Sequence, residues 1–488
     1  MDPLGTITVY FPFIDEDTRN ILESIMNKAY NYYDFVKILT QRVLETDCSD
    51  LVVYFAVHHA GQLLDLKTVN AIGSKYNDCV ILMPNLFFAS AFQGKSEDFE
   101  ITRKAADAVL ATNPDDWLSL EMHFMKFESE SWRYPETIPD TKNLDTILEM
   151  IRKEPNFGFY EAVCYGHFAN QAHIDGDSEE RKRCIEKAIE ISRKFDDKIR
   201  LAYTLLAKAN IVESDDRSFS MDLLKEAGSI MEFLGSEEGY SRVLESISKL
   251  EAIQGEFTIS IEHYLEVVSI RESLGMDNGN ISLVLSTLYN IIGECDSGLE
   301  WGRMAEEHFS NRPNVIPRAI LNQAWSLASL KKLTEATILI DSVRDSIIKS
   351  GHEATLAWLH FVTGLIEFED GDLISAVSSI EEALKIYETR EGTMMIQILF
   401  LVQLAKIEIA QANLTTEVYP YLSLLEERAT SENLPGIIGQ TLLLKFEIAL
   451  IRKDDSLLRD IIQQLEPLTQ EPQTAFLEPF YERLLDRI

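Results

Sequence analysis

The chain is poor in glycine and proline, with 22 and 14 residues among 488. Turn-rich β architecture draws heavily on both, so their scarcity points to long helices. Basic residues are also short: 45 Lys and Arg stand against 80 Asp and Glu, a formal net charge of −35. Affinity for phosphate backbones and for anionic lipid rests on Lys and Arg, so nucleic-acid and membrane-surface partners are both disfavoured. The five cysteines, Cys48, Cys79, Cys164, Cys184 and Cys295, are odd in number and form no CxxC pair. Reduced thiols in a cytoplasmic protein are the expectation. No apolar run reaches the roughly 20 residues of a spanning helix. The strongest, 80–92 and 394–405, carry Pro84 and Asn85 in one case and Gln397 and Gln403 in the other. The start, MDPLGTITVYF, lacks the basic segment and apolar core of a secretory signal.

Catalytic and cofactor signatures are missing as well. The nine histidines contain no HExxH, and there is no GxxxxGK[ST] phosphate loop, no GxSxG and no GxGxxG after a strand. Cys164, His167, His173 and Cys184 could hold zinc if all four converged across a turn; ordinary packing is the alternative. No metal or cofactor is expected, and no enzymatic activity. Any catalytic constellation would fall in the first 75 residues.

At this length one core stops growing, so several domains or an elongated array are expected. The chain in fact repeats itself. Ala188, Ala227, Val267, Ala305, Val343, Ala383, Leu425 and Leu465 follow one another at spacings of 38 to 42 residues. Seven residues before each stand Arg181, Ser220, Ser260, Gly298, Ala336, Ala376, Val418 and Leu458, mostly small. Three before stand Ile185, Leu224, Tyr264, Gly302, Ile340, Ile380, Leu422 and Ile462, with Gly302 breaking an aliphatic column. Twelve before lies a turn, and four units carry glycine followed by an acid: Gly176-Asp177, Gly255-Glu256, Gly293-Glu294 and Gly371-Asp372. Glycine can end one helix in the left-handed conformation, and the acid suits the positive N-terminal end of the next. Turns are therefore predicted near 176, 215, 255, 293, 331, 371, 413 and 454.

Gly364, Gly371, Asp372, Ala376, Ile380 and Ala383 in unit 357–390 resemble the tetratricopeptide repeat (TPR), with Glu367 where the family usually has tyrosine. The period exceeds the family's usual length of about 34 residues, and is similar to the stretched repeats of kinesin light chains and of regulator sensor arrays. The resemblance implies an all-α fold of antiparallel helix pairs stacked into a right-handed helical-repeat solenoid. It covers 161–470 well and 76–160 as divergent repeats. Residues 1–75 read as an N-terminal cap, in which TITVYFPF alternates like a short strand, and 471–488 read as a closing helix.

In such a fold the first helix of each pair lines the concave groove. Projecting the register places Asn170, Arg242, Lys249, Arg318, Trp325, Trp358, Phe361 and Phe368 there, joined by Lys208 and Lys406 if two turns are one residue longer. Arg242, Lys249 and Arg318 would form a basic strip in an acidic protein, and exchanging Arg318 for Glu should then leave stability nearly unchanged. The alternative is that the aromatics are inter-helix core and the cations are solvated. Asn170 and Asn322 lie too far apart for the family's chaperone-tail clamp. The expected function is a cytoplasmic protein–protein interaction scaffold holding a partner peptide or helix. A sensory array responding to a small ligand, or acting on a transcription complex through a partner, is the alternative.

Overall fold

The repeat register predicts helix pairs, and the computed structural model consists of them. It describes residues 7, 11, 14–30, 32–62, 66–76, 79–82, 86, 98–112, 114, 116–133, 142–153, 158, 160–212, 216–310, 315–388, 394–412 and 419–485. No strand occurs among the described residues. The expected strand at 6–13 lies almost wholly outside them, and Ile7 within it is helical.

Contacts divide the chain into two units, 1–246 and 247–488, with the boundary inside one helix. Unit 1 holds α1 Glu16–Met26, α2 Tyr32–Glu45, α3 Asp50–Gln62, α4 Leu66–Lys75, α5 Asp98–Leu110, α6 Asp116–Arg133, α7 Lys142–Lys153, α8 Glu161–Ile174, α9 Ser178–Lys194, α10 Lys198–Val212 and α11 Arg217–Leu234, and runs into α12 Glu237–Ile253. Unit 2 continues with α13 Phe257–Ser273, α14 Gly279–Ile292, α15 Cys295–His308, α16 Ile316–Ser329, α17 Leu333–Ser350, α18 Glu353–Asp370, α19 Leu373–Glu388, α20 Met394–Ala410, α21 Pro420–Ser431, α22 Pro435–Arg452, α23 Asp455–Thr469 and α24 Glu478–Leu485, with a 3-10 segment Pro472–Leu477 before α24.

The repeat columns are the core. Ala188, Ala227, Val267, Ala305, Val343, Ala383, Leu425 and Leu465 are all buried, none more than 6% exposed. Small residues let backbones approach. A Cβ on Gly364 would stand 2.5 Å from Ile380 Cγ1 and 3.1 Å from the Ala376 carbonyl, so α18 and α19 meet at a distance that glycine alone permits. Gly302, the break in the aliphatic column, is explained in the same way: Gln323 of α16 packs on it, with Cγ 2.8 Å from where a Cβ would be. Val418 lies outside the described residues.

The turns fall where the period puts them. Gly176, Gly255, Gly293 and Gly371 have φ of 74°, 77°, 86° and 90°, and Lys331 and Lys453 take φ of 62° and 54° in the corresponding turns. The turns expected at 215 and 413 lie outside the described residues. The acids after the glycines divide by length. Asp177 and Asp372 accept hydrogen bonds from the backbone N–H of Glu180 and Ser375 at 2.9 and 3.1 Å. Glu256 and Glu294 make no such cap, since the extra methylene overshoots the N–H groups.

Within unit 2 each helix packs on the next, and the first helices of successive pairs also touch: α14 with α16, α16 with α18, α18 with α20, and α20 with α22. They form an inner layer. The end of the unit then returns to its beginning. Gly436 at the start of α22 meets the Gly255 turn, Phe476 packs on Phe257 with ring centroids 5.7 Å apart, and a Cβ on Gly293 would lie 3.6 Å from Phe480 Cζ.

Candidate functional site

The returning segment and the inner layer enclose a cavity of about 500 Å³. Its wall takes Asn290 from α14, Cys295 from α15, Trp325 from α16, Phe361 and Phe368 from α18, Gln403 and Lys406 from α20, and Gln440 and Glu447 from α22. Phe476, Phe480, Arg483 and Leu484 complete it from the C-terminal end. The volume falls within the range of roughly 300–1,000 Å³ typical of ligand sites.

Behind the wall lies an aromatic spine. Trp325 meets Phe361 edge-on at 5.2 Å and Trp358 at 5.9 Å, and Phe361 continues to Phe400 at 4.8 Å. A polar network fixes these helices to one another. Asn322, fully buried, donates through Nδ2 to the Leu283 carbonyl at 3.1 Å and to Thr287 Oγ1 at 2.8 Å, while its Oδ1 accepts from Trp358 Nε1 at 2.9 Å. Ser326 Oγ donates to Asn290 Oδ1 at 2.8 Å, and Asn290 Nδ2 donates to the Asn322 carbonyl at 3.3 Å. With its side-chain partners all internal, Asn322 locks α14, α16 and α18 together.

Two polar side chains on the wall are different. Lys406 makes no hydrogen bond or ion pair with any described residue, and it stands exposed at the cavity. Protein packed around the side chain pulls its pKa below the usual lysine value, against an opposing effect from the Cys295 thiol. That thiol is itself pushed up by burial, and so is uncharged near neutrality. Gln403, one turn earlier on α20 and 7% exposed, has no hydrogen bond to a described residue either. Of the other charged groups on the wall, Glu369 pairs with Lys331, and Arg483 donates through Nε to the Pro479 carbonyl at 3.0 Å with its guanidinium 4.6 Å from the Phe480 ring centroid.

The residues projected into the groove separate. Trp325, Phe361, Phe368 and Lys406 line the cavity. Trp358 is 1% exposed and belongs to the spine. Arg318 does not stand in an exposed strip: its guanidinium lies 3.5 Å from the Trp358 ring centroid, and its Nε is buried. Burial pulls its pKa down to about 10 against a hydrogen bond to Tyr387. Lys249 is exposed on α12. In unit 1, Asn170 is exposed, Lys208 pairs with Glu186 at 2.5 Å and covers the Phe219 ring, and Arg242 is held by buried Glu238. Sequence reasoning missed the C-terminal wall, because Phe476 and Phe480 lie outside the repeat register. It also missed Gln403, which read merely as an interruption of an apolar run.

Unit 1 contains a second polar cluster, partly within the first 75 residues. Tyr54 OH donates to Glu121 Oε2 at 3.2 Å, Tyr160 OH donates to the same carboxylate, and Trp117 Nε1 donates to Tyr160 OH at 3.0 Å. Tyr32 OH and His59 Nδ1 are 2.7 Å apart. Burial holds the pKa of His58 below its ordinary value. Tyr32, Tyr54, His59, Trp117, Glu121 and Tyr160 are each 4% exposed or less, so this is interior packing. No group of three His, Cys, Asp or Glu is gathered for a metal among the described residues. None of their helices is long and apolar enough to cross a membrane.

No protein-family model matches the sequence, and no curated protein matches it. Solved structures do. The apo form of RapI superposes with a TM-score of 0.50 at 16% identity, over 72% of this chain and 97% of that one. A Rap protein complexed with competence and sporulation factor gives 0.48 at 14% identity, over 67% and 98%. A signal-transduction ATPase with a tetratricopeptide-repeat sensor from Pyrococcus horikoshii gives 0.44 at 13% identity, over 79% and 55%. At such identities the likeness is one of fold. The chain has an all-α, TPR-like helical-repeat fold.

Proposed function

From a TPR-like helical-repeat fold, we propose that this protein is a non-enzymatic, cytoplasmic interaction module whose second unit receives a peptide segment of a partner protein. The observation that carries the reading is the aromatic-walled cavity on the inner helices, which holds two polar side chains without partners. Peptide grooves are built this way, from apolar anchors with a few placed polar groups. Five unpaired cysteines suit a reducing compartment. A second reading, a sensor of a small ligand, is favoured by the volume, which suits a small molecule as well as a short peptide.

Affinity selection from a random peptide pool tests both readings when compared with Leu399→Trp, a substitution on α20 of a leucine that lines the cavity, chosen to occupy it. Peptides enriched by the full chain should be lost by the variant at an unchanged melting temperature. Enrichment equal in both proteins would overturn the cavity as the site. Thermal shifts with a metabolite library, and none with peptides, would favour the sensor.

A further inference from the structure

The inference rests on the small-ligand reading above and names the chemistry of the ligand. Lys406 stands on the cavity wall, and its amine has no hydrogen bond or ion pair among the described residues. The surfaces it shares the cavity with are largely aromatic: Trp325 from α16, Phe361 and Phe368 from α18, and Phe480 from the C-terminal end. Gln403, one turn earlier on the same face of α20, is more than nine-tenths buried, and its amide is likewise unpartnered among the described residues. An accessible amine in an apolar enclosure, with an amide beside it, is an arrangement for holding a carbonyl compound. We propose that Lys406 is a covalent capture site, its amine forming a reversible imine with an uncharged aldehyde that carries an aromatic or aliphatic body.

The step balances with the aldehyde alone. The nitrogen lone pair of Lys406 attacks the carbonyl carbon, and one N–H proton passes to the carbonyl oxygen, giving a carbinolamine. The remaining N–H proton then leaves with the hydroxyl as water, and a C=N bond replaces C=O. Attack requires the neutral amine, and the protein packed around Lys406 enlarges that fraction by lowering its pKa. The Gln403 amide can donate to the aldehyde oxygen before attack. Cys295 is the other nucleophile on the wall, and burial keeps it a thiol near neutrality, so it is the weaker competitor. The cavity of about 500 Å³ accommodates a phenylpropyl or hexyl body against the aromatic rings. Glu447 and Glu369 also line it, so a ligand bearing its own carboxylate is disfavoured.

The test is reductive trapping on the full chain with equimolar 3-phenylpropanal and cyanoborohydride, read by peptide mapping. The reductant converts an imine to a stable secondary amine and leaves a thiohemiacetal on cysteine unlabelled. Lys406 should be labelled about tenfold faster than Lys349, a lysine exposed on α17, because only the former combines an apolar site with a desolvated amine. That preference should vanish in Leu399→Trp, and with glycolaldehyde, which has no apolar body. Lys406→Arg should lose the fast phase of adduct formation at an unchanged melting temperature. Fast labelling of Lys406 by both aldehydes alike would overturn the apolar ligand. The alcohol 3-phenylpropan-1-ol, with the same body and no carbonyl, separates capture from binding. Equal labelling of Lys406 and Lys349, with a thermal shift by the alcohol that Leu399→Trp abolishes, would sink the imine and leave the small-ligand site standing. Equal labelling with no thermal shift would sink both.

Discussion

Arg318 and Lys406 are both cations without a carboxylate partner among the described residues, and their surroundings give them different work. The Arg318 guanidinium lies over the Trp358 ring, 3.5 Å from its centroid, and bonds to Tyr387, so a delocalised ion is stabilised by a ring face and a hydroxyl. Lysine could not stack in this way. Arg318→Glu should therefore destabilise the protein, by about 2 kcal/mol or more, since a desolvated cation–π contact is replaced by a carboxylate against an aromatic face. Denaturant unfolding measures it, and a melting curve matching the unaltered chain would return Arg318 to the surface. Lys406 lacks any such support. Its register position was legible once a longer turn was allowed, but its isolation was not, because partners come from helices distant in sequence.

At the scale of the helix pair, the period of about forty residues wrote its own structure. Neighbouring repeats contact one another, so burial of the alanine column and the left-handed turns at Gly176, Gly255, Gly293, Lys331, Gly371 and Lys453 follow from spacing alone. Lys331 and Lys453 show that the turn is imposed even where glycine is absent. Ala376 is fully buried, with its carbonyl close to Gly364. Ala376→Leu should overpack α18 against α19 and cost about 1–3 kcal/mol, with retained helicity by circular dichroism and a lower denaturation midpoint. A neutral result would mean that this contact has slack. The aromatics illustrate what periodicity leaves open: Trp325 and Trp358 sit on neighbouring first helices, yet one lines the cavity and the other is sealed behind it. Side-chain rotamers in the packed layer made that choice.

For the second unit as a whole, the decisive feature is the return of its C-terminal end to α13 and α14. Phe476 on Phe257 and Phe480 beside Gly293 complete a wall that the repeats leave open. Removing residues 471–488 should abolish peptide enrichment, raise binding of a hydrophobic dye, and leave most helical signal in place. Unchanged enrichment would show that the inner helices suffice. The sequence by itself determined the helical class, the repeat length, the turn positions and the buried columns, because each depends on residues within one or two repeats. The tertiary structure decided which inner residues share a cavity and what closes it. Small rotations between successive pairs add up over the whole unit, so the meeting of Gly255 with Gly436 is written in no single repeat.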